Sequence, residues 1–233
     1  MQRVWDSAPF TVDYQHGPGD QLVIAFSSVG HDPTRPPSPE FVRVLAGQRA
    51  LFVCDGSRSW ANDPGFEAAV LGAYRAACEA GPVVRVMTLG LSMGAFAALV
   101  AAQVLPVDVV LGFGPQYSIA PGSGETRWAT WTDRLTAPRW PPLRWHVAPL
   151  PARGWVCLFH GGLDDMGQAL GFPVQAGVDQ VIFDGVGHSD LMPHLKAKGV
   201  LAGLIEAGMQ GDRRRLLRIS AGAGGVRRRF TQA

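Results

Sequence analysis

The 233-residue chain contains no run approaching the 18 or more apolar residues that a membrane-spanning helix requires. Its opening residues, Met1-Gln2-Arg3-Val4-Trp5-Asp6, carry neither an apolar core nor a small-residue cleavage site, so no secretory signal is expected. Cysteine is scarce. Cys54, Cys78 and Cys157 are an odd number without framework spacing, which points to reduced thiols and a cytoplasmic setting. None lies in the polar, His-paired surroundings that would activate a thiolate nucleophile. There is no G-x-x-x-x-G-K-[ST] phosphate loop, and Gly112-Phe113-Gly114 lacks the third glycine and the acidic partner of a dinucleotide site. No His/Cys cluster has zinc spacing, so neither a metal nor an organic cofactor is expected. No internal repeat is visible. Charged residues are few, at 17%, against 47% apolar ones, a balance that excludes a disordered chain.

What is present is punctuation and alternation. The 29 glycines and 18 prolines imply many tight turns. Between them, apolar runs of strand length alternate with helical spacing. FTVDY (10–14) reads as a half-buried strand. LVIAF (22–26) reads as a central strand covered on both faces, ALFVC (50–54) as the next buried strand, and VVRVMTL (83–89), VDVVLGF (107–113), WVCLF (155–159) and VDQVIF (178–183) as further strands. Helices are expected over 66–80, 93–104 and 191–209, and a Pro-rich loop over 33–39. This order predicts an α/β domain over 1–210, with a mostly parallel central sheet and helices on both faces.

Two segments fall outside the rhythm. Residues 114–154 hold Trp128, Trp131, Trp140 and Trp145 among seven prolines, and are expected to form a small cap over the C-terminal sheet edge. Residues 211–233 carry seven arginines and one aspartate, a net of +6, which leaves the first 210 residues at −4 within a total of +2. This basic tail is expected to be a solvated extension able to touch an anionic surface; no nucleic-acid partner is expected.

The chemistry concentrates in three places. Gly90-Leu91-Ser92-Met93-Gly94 matches G-x-S-x-G between a predicted strand and a predicted helix, the setting of a nucleophile elbow. A serine hydroxyl needs a base. Of the six histidines (16, 31, 146, 160, 188 and 194), His188 lies in Val186-Gly187-His188-Ser189-Asp190, between the last predicted strand and the last helix. A carboxylate must then orient the imidazole. Phe159-His160-Gly161-Gly162-Leu163-Asp164-Asp165 supplies one at the same sheet edge; Asp164 has the favoured spacing, with Asp165 as competitor or helix cap. His160 is expected to support the turn. An oxyanion hole requires two backbone N–H groups. Met93 follows the nucleophile, and Ser28, or its neighbour Ser27, follows the LVIAF strand.

LVIAFSSVG, GLSMG, HGGLDD and VGHSD, in this order, resemble the α/β-hydrolase superfamily over about residues 10–208. The chain order Ser92, Asp164, His188 is the one that fold uses. The family's His-Gly oxyanion turn is replaced here by Phe26-Ser27-Ser28. FSS, DGSRSW and FGPQYSI also resemble a bacterial branch found near surface-polysaccharide and glycosyltransferase functions. Asp55, Arg58 and Trp60 either line the substrate pocket or lock a loop. The resemblance implies an ester- or thioester-cleaving serine hydrolase acting on a small-molecule or glycan-linked acyl substrate. An acyltransferase on the same triad and a catalytically silent binding module are the alternatives.

Overall fold

The computed structural model describes residues 1–228 apart from 31, 33, 121, 122, 124, 134, 136–149 and 152. Among these residues, nine strands form one sheet in the order β1-β2-β4-β3-β5-β6-β7-β8-β9. They are β1 (Gln2–Ser7), β2 (Phe10–Gln15), β3 (Gln21–Phe26), β4 (Ala50–Asp55), β5 (Arg85–Leu91), β6 (Val109–Phe113), β7 (Trp155–Gly161), β8 (Val178–Phe183) and β9 (Gly225–Arg227). The six strands from β4 to β8 across the sheet run parallel, while β2 joins β4, β1 joins β2 and β9 joins β8 antiparallel.

Alternation along β3 explains the layering. Leu22, Ile24 and Phe26 face one core, and Val23 and Ala25 face the other. The first core is closed by α1 (Phe66–Glu79) and α2 (Met93–Ala101), the second by α5 (Leu191–Ala197), α6 (Leu201–Gln210) and α7 (Arg213–Gly222). Every residue of α2 is buried. A helix apolar on all sides belongs in the middle of a sandwich, and it anchors whatever its first turn carries. The remaining short helices among the described residues are α3 (Ala129–Thr132) and α4 (Met166–Gly171).

The expected fold class therefore holds, with differences in detail. Strand β1 went unpredicted because its residues are exposed or half-buried and carry no clean alternation. The single helix expected over 191–209 is two, divided at Gly199, whose φ of +66° leaves the helical region. Residues 211–228 are not a solvated extension. They form α7, capped by Asp212 accepting from the Arg215 N–H at 2.9 Å, and then β9 on the sheet edge. Buried Asp179 receives Arg213 at 2.5 Å and Arg227 at 2.7 Å, Arg215 pairs with Glu206 at 2.8 Å, and Arg228 donates to Gln180 at 2.8 Å. Much of the positive charge is thus spent inside the domain.

Of the expected cap, the described parts include residues 114–120 and 125–133, with Trp128 and Trp131 half-buried against the first core. Trp140 and Trp145 lie outside the described residues, as do His31, His146 and Arg229. Among the described residues, no helix is long and apolar enough to cross a membrane.

Candidate active site

Strand β5 delivers Ser92 to the C-terminal edge of the sheet, and α2 begins on the next residue. Ser92 has φ 55° and ψ −121°, a conformation that costs a non-glycine residue on the order of 1–3 kcal/mol. Its N–H donates to the Phe113 carbonyl at 2.8 Å, fastening the turn to β6. The flanking glycines have steric reasons to be there. A Cβ on Gly90 would stand 2.2 Å from the Gly94 backbone, and one on Gly94 would stand 2.3 Å from the Phe26 carbonyl oxygen. Strand, helix and the end of β3 therefore meet at a point where no side chain fits, and the hydroxyl is held out from it.

His188 comes from the loop after β8. Its Nε2 lies 3.1 Å from Ser92 Oγ, and both residues are buried. The carboxylate behind it is Asp165, whose Oδ1 and Oδ2 lie 3.0 and 2.9 Å from His188 Nδ1. This corrects the preference for Asp164. Strand β7 runs two residues beyond Phe159, to Gly161, and the Asp165 N–H then donates to the Gly161 carbonyl at 3.2 Å. That turn directs the second aspartate inward. Asp164, with its side chain 44% exposed, accepts instead from the His188 backbone N–H at 2.6 Å. It shapes the loop, and it does not touch the imidazole ring in the way Asp165 does.

Asp165 has a second partner. Arg127, from the insertion, donates to its Oδ1 at 3.0 Å and to Glu125 at 2.6 Å. Burial by itself would raise the Asp165 carboxyl; the His188 hydrogen bond and charge, and then Arg127, outweigh it and hold the carboxyl below its usual range. Glu125 is likewise held low by Arg127 against its own burial. Trp128, the next residue, lies 5.2 Å from the His188 ring. Neither Arg127 nor Trp128 was assigned a site role from sequence. Nothing in a Pro- and Trp-rich segment without periodicity says which of its residues turns toward the sheet.

His160 is wholly buried, and burial lowers its pKa to about 4. It stays neutral near pH 7, in keeping with a supporting role.

For the oxyanion candidates, the Ser27 N–H donates to the Val53 carbonyl at 3.0 Å and is committed to the sheet. Ser28 follows it, with its hydroxyl on Glu40 at 2.5 Å. Met93 opens α2, where an N–H has no acceptor within the helix.

The three expected pocket residues separate. Asp55 is buried and accepts from the N–H and hydroxyl groups of Ser57 and Ser59, at 2.5 to 2.9 Å. Arg58 donates to the carbonyls of Val29 at 2.7 Å and Arg35 at 2.6 Å, with its guanidinium 4.5 Å from the centre of the Trp131 ring. Both lock loops. Trp60 is different: its indole N–H donates to Gln116 Oε1 at 3.0 Å, and Gln116 Nε2 donates to Ser92 Oγ at 3.0 Å. In the sequence, Gln116 stands out only as part of FGPQYSI. Its position just past β6, the strand beside β5, was the available signal.

Among the described residues, no group of three His, Cys, Asp or Glu side chains is arranged to hold a metal ion.

No protein-family model matches the chain, and no curated protein matches it in sequence. Solved structures do match it. The capsule O-acetyltransferase of Neisseria meningitidis serogroup A superposes with a TM-score of 0.62 at 12% identity, over 88% of this chain and 93% of that one. A variant of that enzyme has also been solved in complex with CoA. A serine hydrolase without lid from Xanthomonas campestris superposes with a TM-score of 0.54 at 16% identity, over 86% and 87% of the two chains. An esterase from Pyrococcus furiosus gives 0.53 at 13% identity, over 86% and 88%. At such identities the likeness is one of architecture, and with the strand order and the elbow it assigns this chain the α/β-hydrolase fold.

Proposed function

We propose that this protein is a serine hydrolase that cleaves a carboxylic ester or thioester through an acyl-enzyme on Ser92. The observation that carries the reading is the continuous contact from Ser92 Oγ through both nitrogens of His188 to Asp165, at 3.1 and 2.9 Å, across 96 and 23 residues of sequence separation. Ser92 Oγ attacks the acyl carbon while His188 Nε2 takes the hydroxyl proton. Asp165 keeps the other ring nitrogen protonated and stabilises the imidazolium as it forms. The N–H groups of Met93 and Ser28 receive the oxyanion. His188 returns the proton to the leaving alcohol or thiol. It then activates a water that releases the acid and frees Ser92.

An acyl-transfer reading uses the same residues, with an alcohol in place of water. It is favoured by the likeness to a capsule O-acetyltransferase, one form of which binds CoA. The substrate class on either reading is a small-molecule or glycan-linked acyl group. A fold that had kept its shape but lost catalysis would have no need of a strained, His-paired serine.

The test is intact-mass analysis after treatment with a short-chain fluorophosphonate. A single adduct on the wild type and none on Ser92→Ala is the expected result. An unlabelled wild type would sink the enzyme reading. Incubation with acetyl thioesters, with and without sugar acceptors, then separates hydrolysis from transfer by the product formed.

A further inference from the structure

The Ser92 hydroxyl has a second buried polar neighbour besides His188, and that neighbour is itself held in one orientation. An indole N–H can only donate a hydrogen bond, so the Gln116 atom 3.0 Å from Trp60 Nε1 is the amide oxygen. The amide nitrogen must then face Ser92 Oγ, also at 3.0 Å, and it too can only donate. Ser92 Oγ accepts that proton, which leaves its own hydroxyl hydrogen for His188 Nε2 at 3.1 Å. For Nε2 to accept, the neutral imidazole carries its proton on Nδ1, facing Asp165 at 2.9 Å. A donor-only group at one end and an acceptor-only carboxylate at the other thus give every link the same direction.

We infer that Gln116, oriented by Trp60, is a positioning residue that points the Ser92 hydroxyl proton at His188; this rests on the reading of Ser92 as nucleophile. Trp60 and Gln116 are almost wholly buried, at 0% and 1% exposure, so water does not substitute for either partner cheaply. The backbone around Trp60 is held at a cost. Arg58, Trp60 and Ala61 all have positive φ, at 51°, 50° and 60°, three non-glycine residues within four positions. Strain of this kind persists only where the surroundings over-determine it. Arg58 and Asp55 supply that rigidity, through the carbonyls of Val29 and Arg35 and through Ser57 and Ser59. The loop after β4 is thereby fixed so that one indole N–H meets one amide oxygen.

The experiment measures the rate of Ser92 phosphonylation by a short-chain alkyl fluorophosphonate, separated into a maximal inactivation rate and a binding constant for the probe. Four variants are compared with the wild type: Gln116→Met, Gln116→Glu, Trp60→Phe, and Gln116→Met with Trp60→Phe. Gln116→Met removes the donor at similar volume and is expected to slow the maximal rate about 5- to 10-fold, the worth of one buried hydrogen bond, with probe binding within about twofold. Gln116→Glu keeps the shape but presents an acceptor to the hydroxyl. It is expected to be slower than Gln116→Met, whereas a role in packing alone would make it the milder change.

Trp60→Phe frees the amide to flip and is expected to cost about as much as Gln116→Met. The double variant is expected to be no slower than Gln116→Met, because Trp60 acts only through the amide. Thermal melts accompany each variant. Should Gln116→Glu fail to fold, the double-variant comparison decides. The inference is overturned if Gln116→Met leaves the maximal rate unchanged, if Gln116→Glu is the faster of the two, or if the Trp60 effect persists undiminished in the Gln116→Met background. A wild type that takes up no probe at all overturns the nucleophile reading itself, and a labelled wild type indifferent to these substitutions overturns only the inference.

Discussion

Substituting asparagine for each of two adjacent aspartates should have very unequal outcomes. In Asp165→Asn, Arg127 requires an acceptor at the Oδ1 position, 3.0 Å from its guanidinium, and so holds the amide oxygen there. The amide NH2 then occupies the Oδ2 position, 2.9 Å from His188 Nδ1 against 3.0 Å for the amide oxygen, and points a donor at it. The ring proton is then expected on Nε2, which faces Ser92 Oγ at 3.1 Å and can no longer accept from the hydroxyl. A wrong tautomer at this step costs about 10⁴-fold in rate, or about 5.5 kcal/mol of transition-state stabilisation. In Asp164→Asn, the amide oxygen still accepts from the His188 N–H. What is lost is a half-exposed contact with Arg127 at 3.4 Å, worth at most about 1 kcal/mol, so the rate should fall less than about fivefold. The assay is the single-turnover rate of Ser92 modification, with thermal melts to show that both variants fold. A larger loss in Asp164→Asn than in Asp165→Asn would refute the assignment of the carboxylate.

Further outcomes can be checked by stability measurements. His160 is neutral in the fold down to about pH 4, whereas the unfolded side chain gains a proton near pH 6.5. The unfolded state therefore binds the extra proton between those values, and lowering the pH from 7 to 4.5 should remove about 2–3 kcal/mol in urea unfolding. His160→Gln should lack that loss; an unchanged slope would exclude His160 as its source. Removing both cations with Arg213→Ala and Arg227→Ala leaves the buried Asp179 carboxylate, among the described residues, with only the Trp155 N–H at 2.9 Å, and should cost about 3–5 kcal/mol, largely recovered by adding Asp179→Asn. Gly94→Ala drives a Cβ to within 2.3 Å of the Phe26 carbonyl and should lower the melting point sharply, while Gly167→Ala, on an open face of α4, should raise it slightly. Equal melting points for those two would contradict the close packing at the elbow.

Those parts of the protein governed by local pattern were legible in the chain itself. Apolar runs such as LVIAF and ALFVC mark strands covered on both faces whatever lies beside them, and β3 and β4 are found where they stand. The elbow was legible because two glycines around a serine at a strand–helix junction answer a steric need written over five residues. Strand β1 was not, since an exposed edge strand needs no alternation. The arginines of α7 and β9 looked like a solvated tail because their shared partner, Asp179, sits more than thirty residues earlier in β8.

Sequence by itself determined the fold class and pointed to Ser92 and His188 at one edge of the sheet, where the structure brings them together, because each of these follows from short-range sterics and periodicity. Tertiary structure alone decided which of two neighbouring aspartates faces the imidazole, and that Gln116 and Arg127 join the group. Such choices turn on side-chain direction across loops, where a two-residue difference in the end of β7 changes what a carboxylate touches. No period in the chain records that direction. It is set only when the two faces of the sheet have packed and the loops above them have no other way to close.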